Sequence, residues 1–177
     1  MPPGLPEECY DWNDGIINPD YEASPGELVF VENWDTFNMD IWEHEITMGG
    51  GGNWEFQTYN NNRTNTYVRD NVLYIKPTLL SDRQGEEFLK TGHQDLWGAQ
   101  PSDQCTGHAW WGCDRVGTPT NIINPIDSGR IRTAKSFNIQ NARIEIEAKL
   151  PRGDWLWPAI WMLPKVRFYE RTSNTGK

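Results

Sequence analysis

No stretch of this sequence is apolar for long enough to span a bilayer, which takes about 20 residues of helix. It has no Lys/Arg cluster either: sixteen basic residues face 25 acidic ones, a net charge of −9. Such a chain repels phosphate backbones and anionic lipid, so neither nucleic acid nor a membrane is expected as partner, and a neutral ligand fits best. The opening, MPPGLPEECYDWNDG, lacks the basic and apolar regions of a secretory signal. Cysteine is scarce, three residues with no CxxC pair and no nearby Cys/His quartet, which argues against a metal site. Amphipathic helices, internal repeats and an interdomain linker are not evident. The glycine run from Met48 to Asn53 is followed by Trp54 and Glu55, not by Lys and Ser/Thr, so it reads as a flexible loop and not a phosphate cradle.

What the chain has is tryptophan. Aromatics make up 12% of it, and there are ten Trp, more flat amphipathic rings than a small core needs. The length suits one domain. Residues 1–27 read as an irregular lead-in, and 28–32 as a first strand. Residues 68–75 read as a hairpin turning at Asp70 and Asn71, which tolerate positive φ. A long Gly/Pro/Asn/Asp-rich segment, 81–128, carries two of the cysteines and reads as irregular. Strands are expected again at 130–137, 142–150 and 156–163. Short strands separated by turn residues argue for an all-β antiparallel sandwich or barrel.

Cys105 and Cys113 are close enough to close a small loop, and a disulfide is favoured over free thiols. Cys9 is then left over, either free or bonded outside the chain. Asn62-Arg63-Thr64 is an N-glycosylation sequon. In 142–150, Arg143, Glu145, Glu147 and Lys149 share one face, which puts the two carboxylates about 6–7 Å apart, within a glycosidase's range. The flanking cations keep both ionised, however, and a general acid needs a raised pKa, so a solvated, salt-bridged face is favoured over a catalytic pair. The stretch GDWLWPAIWMLP, read as a strand, puts Trp155, Trp157 and Trp161 on one side and Leu156, Ile160 and Met162 on the other. The indoles then either line a cleft or fill a core buried on both sides, and Pro158 removes a ladder donor and favours a bulge that would shift the register.

DLWGAQPSDQCTGHAWWGCDRVGTPTNIINPIDSGRIRT, then ARIEIEAKLPRGDWLWPAIWMLP, together with the upstream GNWEFQTYNNNRTNTYVRDNVLYIKP, resembles the laminarinase-like branch of glycoside hydrolase family 16. Within that branch the invertebrate β-1,3-glucan-binding proteins and endo-β-1,3-glucanases are most similar. The resemblance runs over about residues 28–164 and implies a concanavalin-like jelly-roll β-sandwich with a glucan cleft on its concave face. It implies that Trp157 and Trp161 line that cleft, that Arg130 hydrogen-bonds the glucan and that Asn53 contacts sugar. It gives Glu145 and Glu147 no catalytic role. Family members continue from WMLP into an ExDxxE motif whose glutamates are nucleophile and acid/base of a retaining mechanism. This chain reads KVRFYERTSNTGK instead and contains no ExDxxE.

The resulting expectation is the N-terminal part of such a sandwich (28–164) with a divergent tail (165–177) and no catalytic residue. Its function would be β-1,3-glucan recognition. The alternatives are a fragment of an active endo-β-1,3-glucanase, or a non-catalytic innate-immune pattern-recognition protein. The resemblance also implies an extracellular location and no cofactor, although it allows a structural calcium ion with unspecified ligands. Aliphatic faces and edges of a partial sandwich would favour self-association.

Overall fold

Asp70 and Asn71 both take left-handed backbone angles, φ 52° and 58°, as the two central residues of a primed hairpin turn do. They join β5 (Thr66–Arg69) to β6 (Val72–Ile75) in the expected antiparallel register, Arg69 opposite Val72. Tyr67 and Tyr74 are cross-strand partners, their rings stacked 4.9 Å apart, with the Arg69 guanidinium over both. A local turn signal therefore placed this element correctly.

The computed structural model describes residues 10–11, 16–17, 23–100, 103–107, 109–139 and 141–163. Cys9 and the 165–177 tail lie outside them. The chain forms two units, Met1–Phe137 and Asn138–Lys177. Strands dominate the described residues, eleven of them against three helices of four to six residues, as the all-β reading expected.

In the first unit, β1 (Tyr10–Asp11) pairs antiparallel with β2 (Ile16–Ile17). β3 (Glu43–His44) pairs antiparallel with β11 (Ile131–Arg132). The three-stranded sheet runs β4 (Gln57–Tyr59), β10 (Ile126–Ser128), β7 (Thr78–Leu79). β10 is parallel to β4 and antiparallel to β7, which departs from the wholly antiparallel expectation. β8 (His93–Asp95) pairs antiparallel with β9 (Asp114–Val116).

Segment 81–128 is not irregular. It holds α1 (Ser81–Gln84), α2 (Glu86–Thr91), β8, α3 (Ala109–Gly112), β9 and β10. Gly85 separates the first two helices at φ 82°, a backbone angle that side chains resist. Its N–H donates to the Ser81 carbonyl and closes α1. Leu80, Leu89 and Ile123 then meet in a buried cluster flanked by Phe88. Each is worth about 1.5–3 kcal/mol of burial. The Ile123 N–H donates to the Leu89 carbonyl at 2.8 Å and fastens the cluster to α2.

Three expected strands are absent. Residues 28–32, 142–150 and 156–163 carry no ladder. Alternation is a side-chain pattern, whereas a strand also needs a neighbouring backbone to receive its N–H and C=O groups. Around 28–32, ring packing takes the ladder's place: Phe30 stacks on Phe137 at 4.6 Å and meets Trp42 edge-on at 6.3 Å. The expected strand 130–137 is cut to Ile131–Arg132, after which the Ser136 and Phe137 N–H groups both fold back onto the Thr133 carbonyl.

Candidate functional site

The two-residue period of β3 puts Glu43 and Glu45 on one face, and the same period puts Arg130 and Arg132 on one face of the paired segment. These faces meet as an ionic strip. Arg130 Nε lies 3.3 Å from Glu45, Arg132 Nε lies 2.7 Å from Glu43 with its Nη1 3.5 Å from Glu45, and Lys135 Nζ lies 2.7 Å from Glu43. Burial alone would raise the Glu43 carboxyl. Hydrogen bonds from Lys135 and Arg132 outweigh it and hold the group below the usual carboxylate range. Glu43 is therefore an ionised acceptor at neutral pH and not a proton donor.

The strip continues onto β4. The Arg130 guanidinium sits 5.8 Å from the Tyr59 ring centre, and Gln57 Nε2 donates to the Tyr59 hydroxyl at 3.0 Å and to Glu55 at 2.6 Å. Burial, and then the Glu55 charge, push the Tyr59 hydroxyl up, so it stays a neutral hydrogen-bonding group. A row of planar donors beside fixed acceptors and an aromatic ring suits a ligand rich in hydroxyls. The sequence reading singled out Arg130 alone. The i, i+2 match of Glu43/Glu45 with Arg130/Arg132 was visible as spacing, but only the β3–β11 pairing brings the two pairs together.

Asn53 is exposed and follows the Gly50–Gly52 turn, where its N–H donates to the Gly50 carbonyl at 2.8 Å. Because β4 and β10 run parallel, Asn53, before the start of β4, and Arg130, after the end of β10, lie toward opposite ends of that sheet. Next to Asn53, Trp54 is exposed, a residue the sequence reading passed over.

Trp157 and Trp161 belong to the second unit, where they are 86% and 62% exposed, with Trp155 at 96%. The aliphatic residues expected on a core face, Leu156, Ile160 and Met162, are exposed as well, so no division into core face and cleft face forms within 156–163. In the preceding segment Arg143 pairs with Glu145 at 2.5 Å, both side chains well exposed.

Cys105 and Cys113 are joined in a disulfide, their Cα atoms 5.6 Å apart. Asn62 Oδ1 accepts the Thr64 N–H at 2.8 Å, an Asx turn inside the sequon. Asn62 also lines an open depression of about 340 Å³ with Asn61, Asp95 and Asp103. No group of three or more His, Cys, Asp or Glu able to hold a metal ion occurs among the described residues.

Comparison with known proteins gives the surfaces a context. Over 151 residues the chain is 54% identical to a β-1,3-glucan-binding protein of Penaeus monodon, a match covering 85% of this chain and 41% of that protein. It is 36% identical over 148 residues to β-1,3-glucan-binding protein 1 of Manduca sexta, covering 81% and 29%. It is 30% identical over 177 residues to Gram-negative bacteria-binding protein 1 of Drosophila melanogaster, covering 96% and 34%. The chain thus spans about two-fifths or less of the curated relatives it matches. No protein-family profile matches it, and no solved structure does.

Proposed function

We propose that this chain recognises β-1,3-glucan and does not hydrolyse it. The 54% identity over 151 residues to a shrimp protein named for that binding carries the reading. The chain's own surfaces support it. Trp157 and Trp161 are exposed indoles, and the apolar C–H faces of pyranose rings stack on such surfaces. The Arg130 strip adds directed hydrogen bonding. A net charge of −9 repels anionic ligands but leaves a neutral glucan unopposed.

Retaining hydrolysis needs one carboxylate as nucleophile and one protonated carboxyl as acid. Glu43 is held ionised by two cations, and Glu145 is exposed to water and paired with Arg143. Glu43 therefore does not meet the requirement for the acid. The finer assignment, a family 16 jelly roll of the laminarinase-like branch, rests on the resemblance of its motifs. An extracellular place fits the Cys105–Cys113 disulfide. A part in innate-immune pattern recognition is supported by the Drosophila relative, named for binding Gram-negative bacteria.

Affinity electrophoresis in laminarin gels, with a reducing-end assay run in parallel, tests the reading. The wild-type chain should be retarded by laminarin, and Trp157→Ala with Trp161→Ala should weaken binding about tenfold. No reducing ends above background should form. Absence of retardation refutes glucan recognition. Turnover that disappears in a Glu145→Gln/Glu147→Gln double variant refutes the non-hydrolytic part.

A further inference from the structure

Trp54 and Trp111 form an exposed aromatic corner on the first unit. Their ring centres are 5.6 Å apart and their planes cross at 89°. Trp54 is 65% exposed and Trp111 37%. Both have left-handed backbones, φ 57° and 63°, an uncommon and strained conformation for a bulky residue that persists only where its surroundings impose it.

The surroundings do impose it. Before Trp54, Gly50 and Gly51 also take positive φ, and the Asn53 and Glu55 N–H groups both donate to the Gly50 carbonyl, at 2.8 and 3.2 Å. A Cβ on Gly50 would lie 2.9 Å from the Glu55 nitrogen, so the loop closes this way only with glycine there. Trp111 is held from beneath by buried Arg115. That guanidinium donates to the Trp111 carbonyl at 2.9 Å and the Met48 carbonyl at 2.7 Å, and it lies 5.5 Å from the Trp111 ring centre. The Met48 N–H returns a bond to the Gly112 carbonyl at 2.9 Å, and the Cys105–Cys113 disulfide closes the loop. A core-filling ring would be buried, whereas Trp54 stands exposed on a loop that the glycine turn and the Gly50 carbonyl hold in place. Rigid presentation of an exposed aromatic face is how binding surfaces limit the entropy lost on association.

We propose that Trp54 is a second sugar-stacking residue, carried by the first unit, and that Trp111 positions it. The inference rests on the glucan-binding reading above and extends it to a surface that the relatives' names do not describe. One face of Trp111 is covered by Arg115, so its part is to hold the neighbouring indole upright. Trp54 offers the free area, and the exposed Asn53 amide beside it supplies a donor and an acceptor for ring hydroxyls. The acidic charge of the chain disfavours nucleotide or anionic lipid on these rings and favours a neutral pyranose.

Laminarin affinity electrophoresis of the full chain tests the proposal, with near-UV circular dichroism as a check on each variant's fold. Trp54→Ala should weaken binding about three- to tenfold, and Trp54→Phe should recover most of the loss. Trp111→Ala should weaken binding, and Trp111→Phe, which keeps a ring edge against Trp54, should recover most of the loss. In the wild-type chain, the indole N–H resonance of Trp54 should move when laminarihexaose is added, a readout that survives even where a variant folds poorly. An unmoved Trp54 resonance, or a folded Trp54→Ala chain that binds as wild type while the Trp157/Trp161 variant does not, overturns this inference and leaves the proposed function standing. A wild-type chain that binds no laminarin overturns both.

Discussion

Acidification should destabilise this fold through one residue, His44. It lies on β3, only 3% exposed, with its ring stacked on Phe37 at 4.7 Å. Burial, reinforced by the nearby Arg63 charge, pushes its pKa down from 6.5 to about 4. The folded chain therefore resists protonation at a site where the unfolded chain accepts it. Between pH 6.5 and about 4 the unfolded state holds the extra proton, so stability falls as pH falls through that window. Above 6.5 the effect is absent, and below about 4 it stops growing. At 1.36 kcal/mol per pH unit the loss reaches about 2 kcal/mol at pH 5 and about 3 kcal/mol at full extent, or about 10 °C in melting temperature for a chain this long. The measurement is thermal melting from pH 7.5 to 4.5 for wild type and His44→Phe, which keeps the stack on Phe37 and removes the titration. His93 and His108 remain in both chains, so the difference between the curves isolates His44. Glu43, whose carboxyl is held low, adds its own loss only below its ordinary value of 4.5, beneath most of this window. The variant's curve should be flatter by about 2 kcal/mol at pH 5. Parallel curves, or a His44 ring that titrates above pH 6 by NMR, refute the reasoning.

Reduction of Cys105–Cys113, or its replacement by two serines, should lower stability by about 2–3 kcal/mol in chemical denaturation, since the bond closes a loop with a sequence separation of 8. An unchanged denaturation midpoint would show that loop-closure entropy contributes little here. Expressed through a secretory pathway, the chain should gain a glycan at Asn62, seen as a mobility shift that peptide N-glycosidase removes and Thr64→Ala abolishes. Persistence of the shift in that variant would place the glycan elsewhere.

Some of this protein was decided locally and so could be read from the chain alone. The β5–β6 hairpin follows from Asp70 and Asn71, whose short polar side chains tolerate left-handed angles that few other residues accept. The Cys105–Cys113 bond was legible from spacing, and the all-β class from the density of turn residues. The charge balance depends on no contact at all. Tertiary structure decided the rest, because it turns on which distant segments meet. Glu43 and Glu45 become partners of Arg130 and Arg132 only because β3 and β11 pair across almost ninety residues, as the Arg132–Glu43 bond does. Residues 142–150 alternate as cleanly as any strand in the chain, yet pattern alone supplies no neighbouring backbone, and no ladder forms there. Among the tryptophans, Trp34 and Trp42 pack together at 5.2 Å within the framework, whereas Trp54 stands exposed against Trp111. The indole is the same in each case; its role is set by what the folded chain brings beneath it, here a buried arginine and a glycine turn that sequence separation kept apart.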